Sequence, residues 1–170
     1  MLPILAPAVR RLQATVPAAT LVFLAFFEAL PLGLPHGSVV MPLFTVIGVY
    51  YWSIYRPDLV PAPVVFAIGL LHDLLAGGPI GLMALLLVAL HALCAAQRRV
   101  FVGKSFAVGW WGFAMVAIGV GALDWLVASL YYLHLMNPRP LFVQLILTVV
   151  LYPALNWLFN RAEMTVLRTN

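Results

Sequence analysis

The stretch GLLHDLLAGGPIG, residues 69–81, sets an ionisable pair, His72 and Asp73, inside an apolar run and then breaks that run with Gly77, Gly78 and Pro79. A helix arriving through Phe66, Leu70 and Leu74 can end at Gly77, because glycine accepts the left-handed cap geometry. Pro79 cannot continue that helix but can open the next one. The break therefore reads as a turn between two spans. Gly69, Asp73 and Gly77 lie four residues apart on one helical face, with small residues on either side of the carboxylate. Such a face suits close approach of another backbone.

The rest of the chain fits a membrane setting. Of the 170 residues, 65% are hydrophobic and 8% are charged, whereas soluble domains carry roughly a quarter charged residues. At about 20 residues per spanning helix, the length allows about six helices and leaves no room for a separate soluble domain. The expectation is an all-α polytopic bundle, one integral membrane domain over residues 1–170. Spans are expected at 16–35, 38–55, 59–76, 81–97, 105–133 and 141–160, the fifth being long enough to need tilt. Arg10 and Arg11 ahead of an apolar segment imitate a signal peptide, but Glu28, Pro31 and the later spans favour an uncleaved first helix.

Cations fix the expected orientation. With a cytoplasmic N-terminus, Arg10, Arg11, Arg56, Arg98, Arg99, Lys104, Arg161 and Arg168 fall inside and only Arg139 falls outside, as the positive-inside rule requires. Both termini are then cytoplasmic and GGPIG faces the other side. The cations stand singly or in small groups, which excludes a basic nucleic-acid patch. Tyr50, Tyr51, Trp52 and Tyr55 beside Arg56, Trp110 and Trp111 after Lys104, and Trp157 before Arg161 read as interfacial anchors.

Three carboxylates, Glu28, Asp73 and Asp124, fall in or near the membrane, where each is expected to face protein or water. Asp73, one turn before the break, can accept hydrogen bonds from the free amides of the next helix, whose dipole favours a negative group. A binding-site carboxylate is the alternative. His72 projects roughly 100° away from Asp73, so the two are not an obvious dyad. Asp124 shares a face with Ala114, Ala117, Gly121 and Ala128, which reads as helix packing, with a ligand or ion role as the alternative. Glu28, late in the first span and one turn before a kink expected at Pro31, reads as partly solvated.

Gln144, Thr148, Tyr152, Asn156 and Asn160 form a polar ridge on the last span, expected to bond across helices. Cys94 reads as a small buried hydrophobe. His91 has no second histidine at helical spacing, so no metal site and no cofactor is indicated. Neither a serine with a positioned base nor paired carboxylates at helical spacing occurs, which leaves catalysis unsupported. No internal repeat stands out, which weakens an inverted-repeat transporter reading.

From Pro42 to about Phe113 the chain resembles the MreD family of bacterial rod shape-determining membrane proteins. The residues that carry the likeness are YYWSIYRPDLVPAP at 50–63, FAIGLLHDLLAGGPIGLMALLLVALHAL at 66–93 and the basic connection QRRVFVGKSF at 97–106. The resemblance implies a non-enzymatic subunit of the inner-membrane elongation machinery, associated with MreC and through it with MreB, RodA and a transpeptidase. It also implies a fold like the substrate-binding subunits of energy-coupling-factor vitamin transporters, a likeness that does not by itself transfer vitamin binding. The function expected is an adaptor whose packing or partner-interface residues are Gly69, Asp73, Gly77, Gly78, Pro79, Gly81, Gly121 and Asp124. The alternative is a small-molecule binding or transport subunit with a cavity near the turn.

Overall fold

Proline and glycine set most of the helix ends. The computed structural model describes residues 6–30, 40–101 and 103–166, which fold into α1 (Ala6–Ala29), α2 (Phe44–Tyr55), α3 (Ala62–Ala76), α4 (Leu82–Phe101), α5 (Phe106–Tyr131) and α6 (Arg139–Val166). No strand occurs among the described residues. Pro61 precedes α3 in extended geometry, and Gly77 ends it at φ 71°, its N–H donating to the Asp73 carbonyl at 3.0 Å. Helix α4 starts at Leu82, so Pro79 sits in the turn rather than in the first helical position. Pro31 and Arg168 lie outside the described residues, as do the side chains of Arg10 and Arg11.

Helices α4, α5 and α6 are long and apolar enough to cross a membrane. At 1.5 Å per residue, α5 reaches about 39 Å against a hydrocarbon core of about 30 Å. Helices α2 and α3 are shorter than the expected spans, with 12 and 15 residues. The cause at α2 is local. Leu43 has φ −76° and ψ 70°, and the Phe44 N–H donates back to the Pro42 carbonyl at 2.9 Å. That is an inverse γ-turn, and it delays the helix from the expected residue 38 to Phe44.

Helix α2 is the centre of the bundle. Every residue from Thr45 to Ile54 is buried, the behaviour of a helix apolar on all sides. It packs against α1, α4, α5 and α6, while α3 joins α1 to α4 and α5 lies between α4 and α6. Four helices thus pack on α2, while α3 touches α2, and α1 touches α6, marginally at most.

This arrangement overturns the expected interfacial role of the aromatic cluster. Tyr50, Tyr51 and Trp52 are 0%, 2% and 0% exposed, and only Tyr55 of that group is open. The Tyr50 hydroxyl donates to the Gly109 carbonyl at 2.9 Å, and the Trp52 indole N–H donates to Thr20 Oγ1 at 3.2 Å. Buried aromatic rings with a polar tip require such partners. Phe113 and Tyr152 stack at 4.4 Å beside Tyr50. Trp110 is half-buried and donates to the Val149 carbonyl at 3.0 Å. Trp111 and Trp157 are the exposed members, and Arg161 lies over the Trp157 ring at 5.5 Å.

Gly48, Gly69 and Gly121 permit close helix contacts, Gly48 facing the side-chain ends of Leu21 and Leu24 on α1. A Cβ at Gly69 would collide with the backbone of α4 at Ala84, 2.8 Å from its nitrogen. At Gly121 it would meet side-chain ends of α6, Leu145 Cδ2 at 2.9 Å and Leu141 Cδ1 at 3.1 Å. Backbone cannot yield as a leucine rotamer can. Gly69→Ala is therefore expected to destabilise the protein more than Gly121→Ala, within the roughly 1–3 kcal/mol typical of overpacking. Thermal unfolding of the two variants in detergent checks the order.

Candidate functional site

The ends of α1, α3 and α5 and the starts of α2, α4 and α6 enclose a cavity of about 730 Å³. Glu28, His72, Asp73 and Asp124 line it, with Gln144 from α6. The chain thereby gathers its three intramembrane carboxylates at one end of the bundle. Two of them cap helix starts, and the third, Asp124, does not.

Asp73, 5% exposed, faces the first turn of α4. Its Oδ2 accepts from the Gly81 N–H at 2.8 Å and the Ala84 N–H at 3.4 Å, and its Oδ1 accepts from the Met83 N–H at 3.1 Å. The first amides of a helix have no partner within it, and a carboxylate there also meets the positive end of the helix dipole. Asp73 thus makes the contacts suggested by its place one turn before the break. Gly81, at φ 95°, bends the chain so that these amides converge.

Glu28 performs the same service for α2. Its Oε2 accepts from the Thr45 N–H at 3.1 Å and the Thr45 hydroxyl at 2.9 Å. Its Oε1 stands 3.3 Å from His72 Nε2 on α3. The Glu28 side chain is only 7% exposed, which corrects the expectation of a partly solvated carboxylate. Three elements meet on this one group, and nothing in sequence spacing links residue 28 with residues 45 and 72.

The polar ridge of α6 explains how α2 can start inside the bundle. The Leu43 N–H donates to Thr148 Oγ1 at 2.9 Å, and Gln144 Nε2 donates to the Met41 carbonyl at 3.0 Å. The Thr148 hydroxyl in turn donates to the Gln144 carbonyl at 2.6 Å. Non-helical backbone at membrane depth is tolerated only when protein or water satisfies it, and these two side chains satisfy residues 41–43. Lower on the ridge, Tyr152 is buried among aromatic rings, Asn156 Oδ1 is buried without a partner and Asn160 is exposed.

Asp124 is half-buried at the cavity wall and accepts no hydrogen bond from the described residues. Its helix face nevertheless packs on α6, with Ala117 and Gly121 buried. Gly77, Gly78 and Gly81 have open space where a Cβ would stand, and Pro79 lies with them at the cavity edge. Gly69 and Gly121 already hold helices of this chain. Away from the cavity, His91 shares a buried hydrogen bond of 2.8 Å with Ser53, and Cys94 is buried. No group of three or more metal-ligating side chains occurs among the described residues.

Arg56 follows α2, Arg98 and Arg99 lie in the last turn of α4, and Lys104 is in the α4–α5 turn. Cations at helix C-termini are favourably placed against the dipole. Arg139, by contrast, opens α6.

The caps make two expected outcomes. Asp73→Ala leaves the Gly81 and Met83 amides without their acceptor and is expected to cost about 1–3 kcal/mol, Asp73→Asn less because one carbonyl oxygen remains. Thr148→Val strands the buried Leu43 N–H at a similar cost. Unfolding followed by tryptophan fluorescence measures both, and wild-type stability in Asp73→Ala would refute the capping role.

A search of curated proteins and a search of solved structures each returned no match, so the implied likeness to energy-coupling-factor subunits has no support from a solved relative. The family model described as rod shape-determining protein MreD matches residues 9–162. The match takes in the central helix, both carboxylate caps and the α3–α4 turn. Read together with three helices able to cross a membrane, it identifies the chain as a membrane protein of the MreD family, whose role is to determine rod shape.

Proposed function

We propose that the chain is a non-enzymatic adaptor of the cell-elongation complex, helping maintain rod shape by coupling MreC and MreB to side-wall peptidoglycan synthesis. The family match over residues 9–162 carries this reading. The use made of the polar groups supports it, because Asp73, Glu28, Thr148, Gln144 and the Ser53–His91 pair are all engaged in holding helices. The partners on this reading are MreC and, through it, MreB, RodA and the elongation transpeptidase, with membrane lipid around the bundle.

The chain then forms one integral domain of the bacterial inner membrane with both termini cytoplasmic. Arg56, Arg98, Arg99 and Lys104 lie on the cytoplasmic side with Arg10 and Arg11, and the GGPIG turn faces outward. Since Gly69 and Gly121 are occupied within the chain, the contact with MreC falls on the turn itself. Gly77, Gly78, Pro79 and Gly81 offer it a surface free of side-chain bulk, flanked by the exposed Leu74 and Ile80.

Cells depleted of the protein are expected to widen and round, and rod shape is expected to return with the wild-type chain. A Gly78→Trp chain should insert at normal level yet recover less MreC on affinity purification. Normal width after depletion would refute the adaptor role. Undiminished MreC recovery would refute only the placement of the contact.

A further inference from the structure

The geometry points to a proton-operated latch at the cavity, in which charging of His72 draws α1 onto α3 through Glu28 and discharge frees the end of α1 together with the cap on α2. This goes beyond the adaptor reading and does not rest on it. The cavity's described lining contains one basic side chain, His72, against three carboxylates. Glu28 faces it from α1, Asp73 is its neighbour on α3, and Asp124 stands on α5, which also brings Tyr132 to the rim. The lining residues of α4 and α6, Leu82, Met83, Pro140, Leu43 before α2 and Gln144, carry no charge.

The imidazole has one polar attachment within the described structure. Nε2 lies 3.3 Å from Glu28 Oε1, while Nδ1 is buried without a partner. With the ring neutral, that contact is a single hydrogen bond, and Glu28 keeps its bonds to Thr45 while Asp73 keeps its three amides. With the ring charged, it becomes an ion pair shielded from bulk water, where charges interact far more strongly than in solution. Histidine is the side chain whose ordinary titration falls in this range.

Helix α1 is the element that Glu28 ties to α3, its last turn following the buried Leu24 and Ala25. Helix α3 is fixed to α4 by the three amide bonds of Asp73 and the Gly69–Ala84 approach. The end of α1 is held by Glu28 and by an edge contact of Phe27 with Phe44 at 5.3 Å, while Phe26 and Leu30 are exposed. Glu28 also caps α2, so loosening it acts on two helices. The sign follows directly: the latch is closed when His72 is charged and opens as pH rises through its titration.

The test uses the full chain in lipid nanodiscs with a single introduced cysteine, Ala29→Cys, Cys94 being buried. Its labelling rate with a hydrophilic maleimide is divided by the rate in the same chain carrying His72→Gln at the same pH, which cancels thiol chemistry. Between about pH 5.5 and about pH 8.5 the ratio is expected to climb about threefold or more as the imidazole discharges. A constant ratio overturns the latch. Glu28→Gln, which keeps an acceptor for Thr45 but not the charge, replaces His72→Gln as divisor if the latter fails to fold. Nitrogen NMR of labelled histidine provides the second measurement, and an His72 ring that stays neutral throughout that range also overturns it.

Discussion

A helix that begins inside a packed bundle leaves backbone N–H groups in need of an acceptor, and this constraint shapes the whole cavity end of the bundle. The chain meets it twice with a carboxylate from a neighbouring helix, Asp73 for α4 and Glu28 for α2. Each carboxylate is stabilised in return by the amides and the dipole that it faces. Both acids are thus bound into helix starts. Removing either leaves a charge deficit at one helix and stranded amides at another.

The central position of α2 follows from the same solution. Its start is short of the expected span, and the Leu43 N–H and the Met41 carbonyl would lack these partners without Thr148 and Gln144. With those bonds made, α2 can be enclosed by the other helices and bury its aromatic residues. Tyr50 and Trp52 then fill the interior while their polar tips reach Gly109 and Thr20. The small residues on neighbouring helices serve this enclosure: Gly69 lets α3 touch the backbone of α4, and Gly121 receives the leucines of α6.

Membership of the rod shape-determining family gives these features their setting. A bundle whose polar groups mostly bind its own helices is suited to presenting a fixed surface. The open glycine turn and the carboxylate-lined cavity lie together at one end.

The sequence by itself determined the membrane class, the six-helix count, the break at Gly77 and the acceptor role of Asp73, because each depends on composition or on residues within about one turn of each other. It also marked Gln144 and Thr148 as bonding positions without saying what they bind. Tertiary structure decided that Tyr50, Tyr51 and Trp52 are interior, since an aromatic cluster beside an arginine looks the same in sequence whether its helix faces lipid or is packed among four others. It alone joined Glu28 to Thr45 and His72, for that contact depends on which helices are neighbours. No local pattern encodes that choice, because the packing of the other helices with α2 sets it.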